Sequence, residues 1–497
     1  MSAYATLCQC ERDRATLASV GSLLGWDERT YLPTKGQAFR GDQLALIAQL
    51  CHERLIDKRT GDLLQQAEAE TLSDEQRANV KGIRRLYGRA VKMPTELVVA
   101  LAKATSAGQN AWESAKHQND FVSFKPYLET ILKLKREEAQ AVGFQDHPYD
   151  ALLDEFEPGA RTSDLKTLFK QLQDQLVPLI AAIGQSDVKA PKEILARSYP
   201  VEQQRQLSEW IAEQIGFDRS GGRLDVTVHP FCSGIGPGDV RITTRFNEHA
   251  FAEAFFGTLH ETGHGIYEQN LPSEHFGTPL GTACSLGIHE SQSRLWENFV
   301  GRSKPFWKAN WAKVQSTFNT TLKDVTLDQF YAAVNDVRPS FIRIEADEAT
   351  YNLHIILRFE LEQALLTSDL AAADLPGAWN ERFHKMFGLT VPKDSLGCLQ
   401  DVHWSAGLLG YFPTYTLGNL YAAQFMEQAQ KDQPQMSEQI ARGEYAPLKE
   451  WLTERIHRQG QRYSAAELCQ RITGKGLGHQ ALMTYLKGKF EPLYGIS

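Results

Sequence analysis

The 497-residue chain has no apolar run long enough for a membrane span, no lysine/arginine block and no Gly/Ser-rich linker. A spanning helix needs about 20 mainly apolar residues in a row, so no membrane segment is expected. A net charge of −8 without a basic cluster argues against nucleic acid as a partner. The seven cysteines, at positions 8, 10, 51, 232, 284, 398 and 469, are odd in number and mostly scattered. They read as reduced thiols rather than a disulfide framework, and Cys8-Gln-Cys10 is too short to be a metal box on its own. The first residues lack the basic start and apolar stretch of a signal peptide, so the expected compartment is the cytoplasm.

What is present begins with a core: aliphatic and aromatic residues make up 42% of the chain. Up to about residue 220 the pattern is helical. Leu44, Leu46, Ile47, Leu50 and Leu55 recur at helical spacing, Ser73-Asp-Glu-Gln opens a helix with a capping signal, and Pro94 starts another. Further helices are expected at Tyr127–Val142, Ser163–Ile183 and Val201–Ile215. The breaks between them are short and no internal repeat is present, so residues 1–497 are expected to form one domain. At Gly221 the texture changes. Asp225–His229 and Asp239–Arg245 alternate polar and apolar residues around the turn-rich Pro230–Gly238, which predicts a β-hairpin over 221–246. Its role is open between closing a small sheet and pairing with an extended peptide. Asn247 is the expected cap of the helix that follows.

That helix carries His260-Glu261-Thr262-Gly263-His264. Two histidines four residues apart share one face, about one turn from each other, and can bind a single tetrahedral zinc ion. Glu261 then stands beside the metal, where a carboxylate can take a proton from water. The flanking Phe251, Ala254, Phe255, Leu259 and Ile266 suit a buried helix, in which unpartnered histidines would be costly. Tyr267 and Asn270 occupy the positions where a metzincin has glycine and histidine, which excludes that class. A third ligand from a following helix is therefore expected, and Glu290, 26 positions after His264, is the candidate. His289 and Glu297 compete with it, and a salt bridge from Glu290 to Arg294 is the purely structural alternative.

Two later stretches complete the candidate site. Over Pro339–Phe359 a helical wheel places Arg343, Asp347, His354 and Arg358 on one polar stripe. Arg343 there either grips a substrate carboxylate or pairs with Asp347 one turn on. Gly397–Asn419 crowds His403, Trp404, Tyr411 and Tyr415 among glycines, where His or Tyr can donate to a developing oxyanion or can simply pack.

Six motifs now stand in order: His229-Pro-Phe231, Asp239-x-Arg241-x-Thr243, His260-Glu261-x-x-His264, His289-Glu-Ser-Gln-Ser-Arg294, Ile342-Arg-x-x-Ala-Asp347 and Gly397-x-x-Gln-Asp-x-His-Trp404. In these, and in stretches near both ends, the chain resembles the carboxypeptidase Taq family of zinc metallocarboxypeptidases along essentially its full length. The resemblance implies a mainly α, single-body homodimer with a deep groove and a small antiparallel β-sheet next to the histidine helix. One catalytic domain would comprise a helical part (1–220), the hairpin (221–246) and the metal- and substrate-binding helices (247–497). It implies release of single C-terminal amino acids from peptides with a free C-terminus, with broad specificity, and one zinc ion per chain that cobalt can replace. His260, His264 and Glu290 would bind the metal, Glu261 would be the base, and Arg343 would hold the C-terminal carboxylate. His403 and Tyr411 would stabilise the oxyanion, with Tyr415 the second candidate tyrosine. The same donors would also serve an oligopeptidase or a dipeptidyl carboxypeptidase. From a different class, a zinc ion that merely braces a helical scaffold is the remaining alternative.

Overall fold

Apolar residues at helical spacing decide the secondary structure of most of the chain. Helix Thr162–Gln185 buries Leu165, Phe169, Leu172, Leu176, Leu179 and Ile183 along one stripe, each contributing about 1.5–3 kcal/mol on burial. Capping is local where the sequence signals it: Ser73 and Gln76 exchange hydrogen bonds across the first turn of helix Asp74–Lys92. The computed structural model describes residues 2–496, which are mostly helical with one small sheet. Among the described residues no helix is long and apolar enough to cross a membrane.

The chain packs as two compact units, each drawn from three stretches. The first takes the chain up to Val91, Ala190–Asn335 and Tyr421–Leu477. Its core includes an aromatic cluster of Tyr199, Phe251, Phe255, Trp307, Phe318 and Phe330, with ring centroids 4.8–6.0 Å apart. Phe251 and Phe255 anchor the first turns of helix Phe251–Gln269 in that cluster.

The second unit takes Lys92–Lys189, Asp336–Leu420 and the chain from Gly478 onward. At its centre helix Tyr351–Thr367 is buried on nearly every face. The helix expected to run on from Pro339 does not. Arg343 lies in a separate short turn, Arg343–Glu345, and the long helix opens only at Tyr351. Asp347 explains the break, because its carboxylate accepts from the N–H groups of Ala349 and Thr350 and from the Thr350 hydroxyl. An aspartate bonded in this way favours a turn over a helix interior.

The sheet in the first unit has strands β1 (Gly222–Val226), β2 (Cys232–Gly236) and β3 (Asp239–Thr244), in the order β1-β3-β2. β2 and β3 form the antiparallel hairpin, whereas β1 runs parallel to β3. The sheet is therefore mixed rather than purely antiparallel, and the two stretches predicted to face each other across a hairpin lie side by side in parallel. The reason is length. The segment Pro230–Gly238 is long enough to supply a strand of its own, and the tight turn falls to Pro237-Gly238, with Gly238 at φ +81°. Asn247 does not cap the next helix. Its side chain accepts from the His249 N–H, and the helix opens after Ala250 without a side-chain cap.

Candidate metal centre

Helix Phe251–Gln269 presents His260 and His264 on one face, as their four-residue spacing requires. Helix Leu286–Arg294 opens with the Ser285 hydroxyl accepting from the Ile288 N–H and continues through a wider π-helical turn, Leu295–Val300. The two helices touch through Gly263. A Cβ at that position would lie 2.6 Å from the Gln292 carbonyl oxygen and from Ser293 Cα, both backbone atoms that cannot swing aside. Gly263→Ala is thus expected to cost about 1–3 kcal/mol and to move Glu290 away from the histidines. Urea unfolding of the metal-free protein and a zinc titration check this; unchanged stability and affinity would mean that the helices do not meet there.

The approach brings His260, His264 and Glu290 together, with one ligand-type atom from each lying within 4.8 Å of the others. Glu290 Oε2 is 3.7 Å from His260 Nε2 and 3.6 Å from His264 Nε2. Donors each about 2.0–2.1 Å from a tetrahedral zinc ion stand about 3.3–3.4 Å apart, so both glutamate–imidazole spacings fit such an ion within a few tenths of an ångström. Glu290 is also paired as the structural alternative had it: Arg294 Nε donates to Oε1 at 2.7 Å. One oxygen is held by the arginine while the other faces the imidazoles. The two competitors stand behind the ring nitrogens. Glu297 Oε2 is 2.8 Å from His260 Nδ1, and His289 Nδ1 is within hydrogen-bonding distance of His264 Nδ1.

Electrostatics separates the two histidines. Burial pulls His260 down, but the carboxylates of Glu290 and Glu297 outweigh it and raise the ring above its ordinary value. Burial takes His264 down to about 3, with His289 adding to the effect. Glu290 is held well below the usual carboxylate range, since Arg294 and His260 overcome the cost of burial. Glu261, buried beside this cluster, is lifted to about 7 by burial, opposed by His260 and reinforced by Glu290.

Arg343, His403, Tyr411 and Tyr415 gather in the second unit. Arg343 does not pair with Asp347. Its Nε and Nη2 donate to Asp401 Oδ1 at 2.9 and 2.8 Å, and Nη1 donates to the Tyr351 hydroxyl at 3.0 Å. Arg358 Nε donates to the other oxygen of Asp401 at 2.7 Å. His403 Nε2 lies 3.1 Å from the Tyr415 hydroxyl, and its ring stacks on Phe412 with centroids 4.3 Å apart. Tyr411 sits 5.5 Å from His403, centroid to centroid. Burial is the main reason His403 falls to about 3, so the ring is neutral at physiological pH. Glu362 anchors this stretch at two points, accepting from Trp404 Nε1 at 2.9 Å and from the Gly410 N–H at 3.1 Å. Sequence reasoning missed Glu362, Asp401 and Glu268. Of these, Asp401 stood within the last of the six motifs without an assigned role, and Glu268 left a local signal one turn beyond His264 on the same helical face.

Two imidazoles and a carboxylate on neighbouring helices, in a mainly helical fold, form a donor set of the histidine–glutamate type that could hold a metal ion. Over residues 6–490 the chain matches the family described as Carboxypeptidase Taq (M32) metallopeptidase, and it belongs to that family. It is 46% identical to thermostable carboxypeptidase 1 of Thermus thermophilus, covering 99% of both chains. It is 40% identical to carboxypeptidase 1 of Bacillus subtilis over 95% of both. The M32 carboxypeptidase structure from Deinococcus radiodurans superposes with a TM-score of 0.97 at 39% identity, covering 99% of this chain and 100% of that one. The chain is accordingly a metallocarboxypeptidase that acts with a divalent metal ion.

Proposed function

We propose that this enzyme uses zinc to release single C-terminal amino acids, with broad specificity, from peptides with a free C-terminus. The observation that carries the metal assignment is the spacing of His260 Nε2, His264 Nε2 and Glu290 Oε2. Three protein donors leave a fourth position for water or substrate, as in catalytic rather than structural zinc sites. Cobalt, with similar ligand demands, is the expected substitute. When bound, the ion supplies Lewis-acid polarisation and a water of lowered pKa.

The remaining chemistry belongs to side chains. Glu261, adjacent to His260, takes the proton of the attacking water and returns it to the leaving amine. Arg343 holds the substrate's C-terminal carboxylate. Asp401 and Tyr351 occupy three of its five N–H groups, so two remain at the Nη end for a charge-assisted grip. His403 and Tyr411 donate to the oxyanion, and Tyr415, bonded to His403, orients it or takes Tyr411's part. The full-length match to relatives supports one catalytic domain spanning residues 1–497. A homodimer is the proposed assembly. None of the seven cysteines is in a disulfide among the described residues, which favours the cytoplasm.

Arg343→Ala is expected to raise KM for free-carboxylate peptides about tenfold or more, the loss of a charge-assisted bond worth about 1.5–3 kcal/mol. Amidated peptides should barely change. Because Arg343 also neutralises Asp401, equal losses on both would assign it to structure instead. Mass spectrometry of a defined peptide tests the cleavage mode. A ladder of single residues, abolished by chelation, is expected; release in pairs or internal cleavage would contradict it.

A further inference from the structure

Each ligand histidine has a hydrogen-bond partner behind its ring, and the two partners are built differently. His260 Nδ1 meets a carboxylate directly, Glu297 Oε2 at 2.8 Å. His264 Nδ1 instead meets a second ring, His289, through that ring's Nδ1. The far nitrogen of His289, Nε2, lies 2.8 Å from Glu268 Oε1. A carboxylate oxygen accepts, so the hydrogen between Glu268 and His289 sits on His289 Nε2, and Nδ1 of that ring is the acceptor toward His264. A histidine that ligates a metal through Nε2 keeps its hydrogen on Nδ1, so His264 donates from there to His289, and its Nε2 faces Glu290.

We propose that Glu268 and His289 are positioning residues that set the tautomer and ring orientation of the ligand His264 through two hydrogen bonds in series. The proposal rests on reading His260, His264 and Glu290 as the metal ligands, and it adds what holds the second of them. Neither residue touches the metal or the substrate in this role.

Three further features hold the chain of bonds in place. Glu268 lies one helical turn beyond His264, so the same face that presents the ligand also presents its support. The ring of His289 sits between those of His264 and Tyr267, with centroids 4.5 and 5.2 Å away. Tyr267 is fully buried and its hydroxyl accepts from the Cys284 N–H at 3.0 Å, which fixes that wall. On the other side stands β2. A Cβ on Gly234 would lie 2.5 Å from Glu268 Oε2, so a side chain at that position would make the carboxylate shift. The small sheet thereby gains a part in the metal site: one of its strands confines the carboxylate at the end of the relay.

The test is zinc affinity of the full-length protein, measured by competition with a chromophoric chelator, with melting of the metal-free protein followed in parallel. His289→Phe and Glu268→Ala are each expected to raise the zinc Kd about 10- to 100-fold, the usual cost of losing an outer partner of a ligand histidine. Because the two bonds act in series, the double variant should bind no more weakly than the weaker single one. Gly234→Ala, which alters neither polar side chain, should also weaken binding. Glu268→Gln keeps the volume and one acceptor, so it carries the test should His289→Phe not fold, and a loss of several-fold is expected. Affinities within about twofold of wild type, or single losses that multiply in the double variant, would overturn the relay. A wild-type protein that binds no zinc would take down the ligand assignment and the relay together. Normal wild-type binding with unaffected variants would remove the relay alone.

Discussion

Glu261→Gln is expected to retain one metal ion per chain and to lose about 10²–10⁴-fold in kcat, the usual contribution of a positioned general acid–base. The substitution keeps the side chain's size and leaves His260, His264 and Glu290 untouched. Glu261 is buried next to His260; burial and the charges of Glu290 and Glu297 raise its carboxyl to about 7, while His260 and His289 oppose that rise. A glutamine amide there cannot take a proton from water, whatever else it preserves. KM should change little, because no substrate contact is removed; the loss belongs in kcat. Steady-state kinetics beside metal analysis of the same sample decides the matter. Full turnover by the zinc-loaded variant would mean that another group moves the proton. Loss of the metal would mean that Glu261 supports the ligands rather than the chemistry.

The second large effect concerns stability. Asp401→Asn is expected to destabilise the protein by about 3–5 kcal/mol, the range for breaking one partner out of a buried ion pair. Asp401 is the only carboxylate hydrogen-bonded to Arg343 or Arg358 among the described residues, one guanidinium on each oxygen. Arg358 is wholly buried, with Trp379 and Phe412 against its guanidinium. An asparagine would leave two buried positive charges facing each other. The pH dependence follows from the same triad. Burial alone would raise the Asp401 carboxyl, but Arg343 and Arg358 overcome that and hold it well below the usual range. A carboxyl lowered on folding contributes its full stability above its unfolded pKa of about 3.9, and that contribution is lost as the pH falls through and below that value. Wild-type urea midpoints should therefore fall from about pH 4 downward, and the Asp401→Asn curve should be flatter over that window. Equal slopes, or a loss under about 1 kcal/mol, would show that the triad is not what holds this part of the second unit.

How much of this could be read from the chain depends on the distance over which each feature is decided. His260 and His264 are neighbours by helical periodicity alone. Glu290 follows because the broken stretch after Leu271 lets a second helix return to the first, and the glycine that permits their contact lies within the histidine motif itself. The long helices were equally legible, since their apolar stripes are local. Arg343 was not. Its choice between Asp347 and a more distant partner turns on Asp401, 58 residues away, while Asp347 was already committed to the turn before Tyr351. The sheet failed for a related reason. Alternation marks a strand but not its neighbour, and nothing in Asp225–His229 says that it lies parallel to β3 while the loop supplies the hairpin partner. Glu268 left a signal in its spacing from His264, but its meaning depends on a ring from another helix and on a glycine in a strand.

The most direct test of the account is a crystal of the zinc-loaded protein with anomalous data collected at the zinc edge. The expected result is one strong site per chain, about 2.0–2.2 Å from His260 Nε2, His264 Nε2 and Glu290 Oε2, with its remaining coordination filled by solvent. Zinc bound elsewhere, or closed off by a fourth protein ligand, would contradict it.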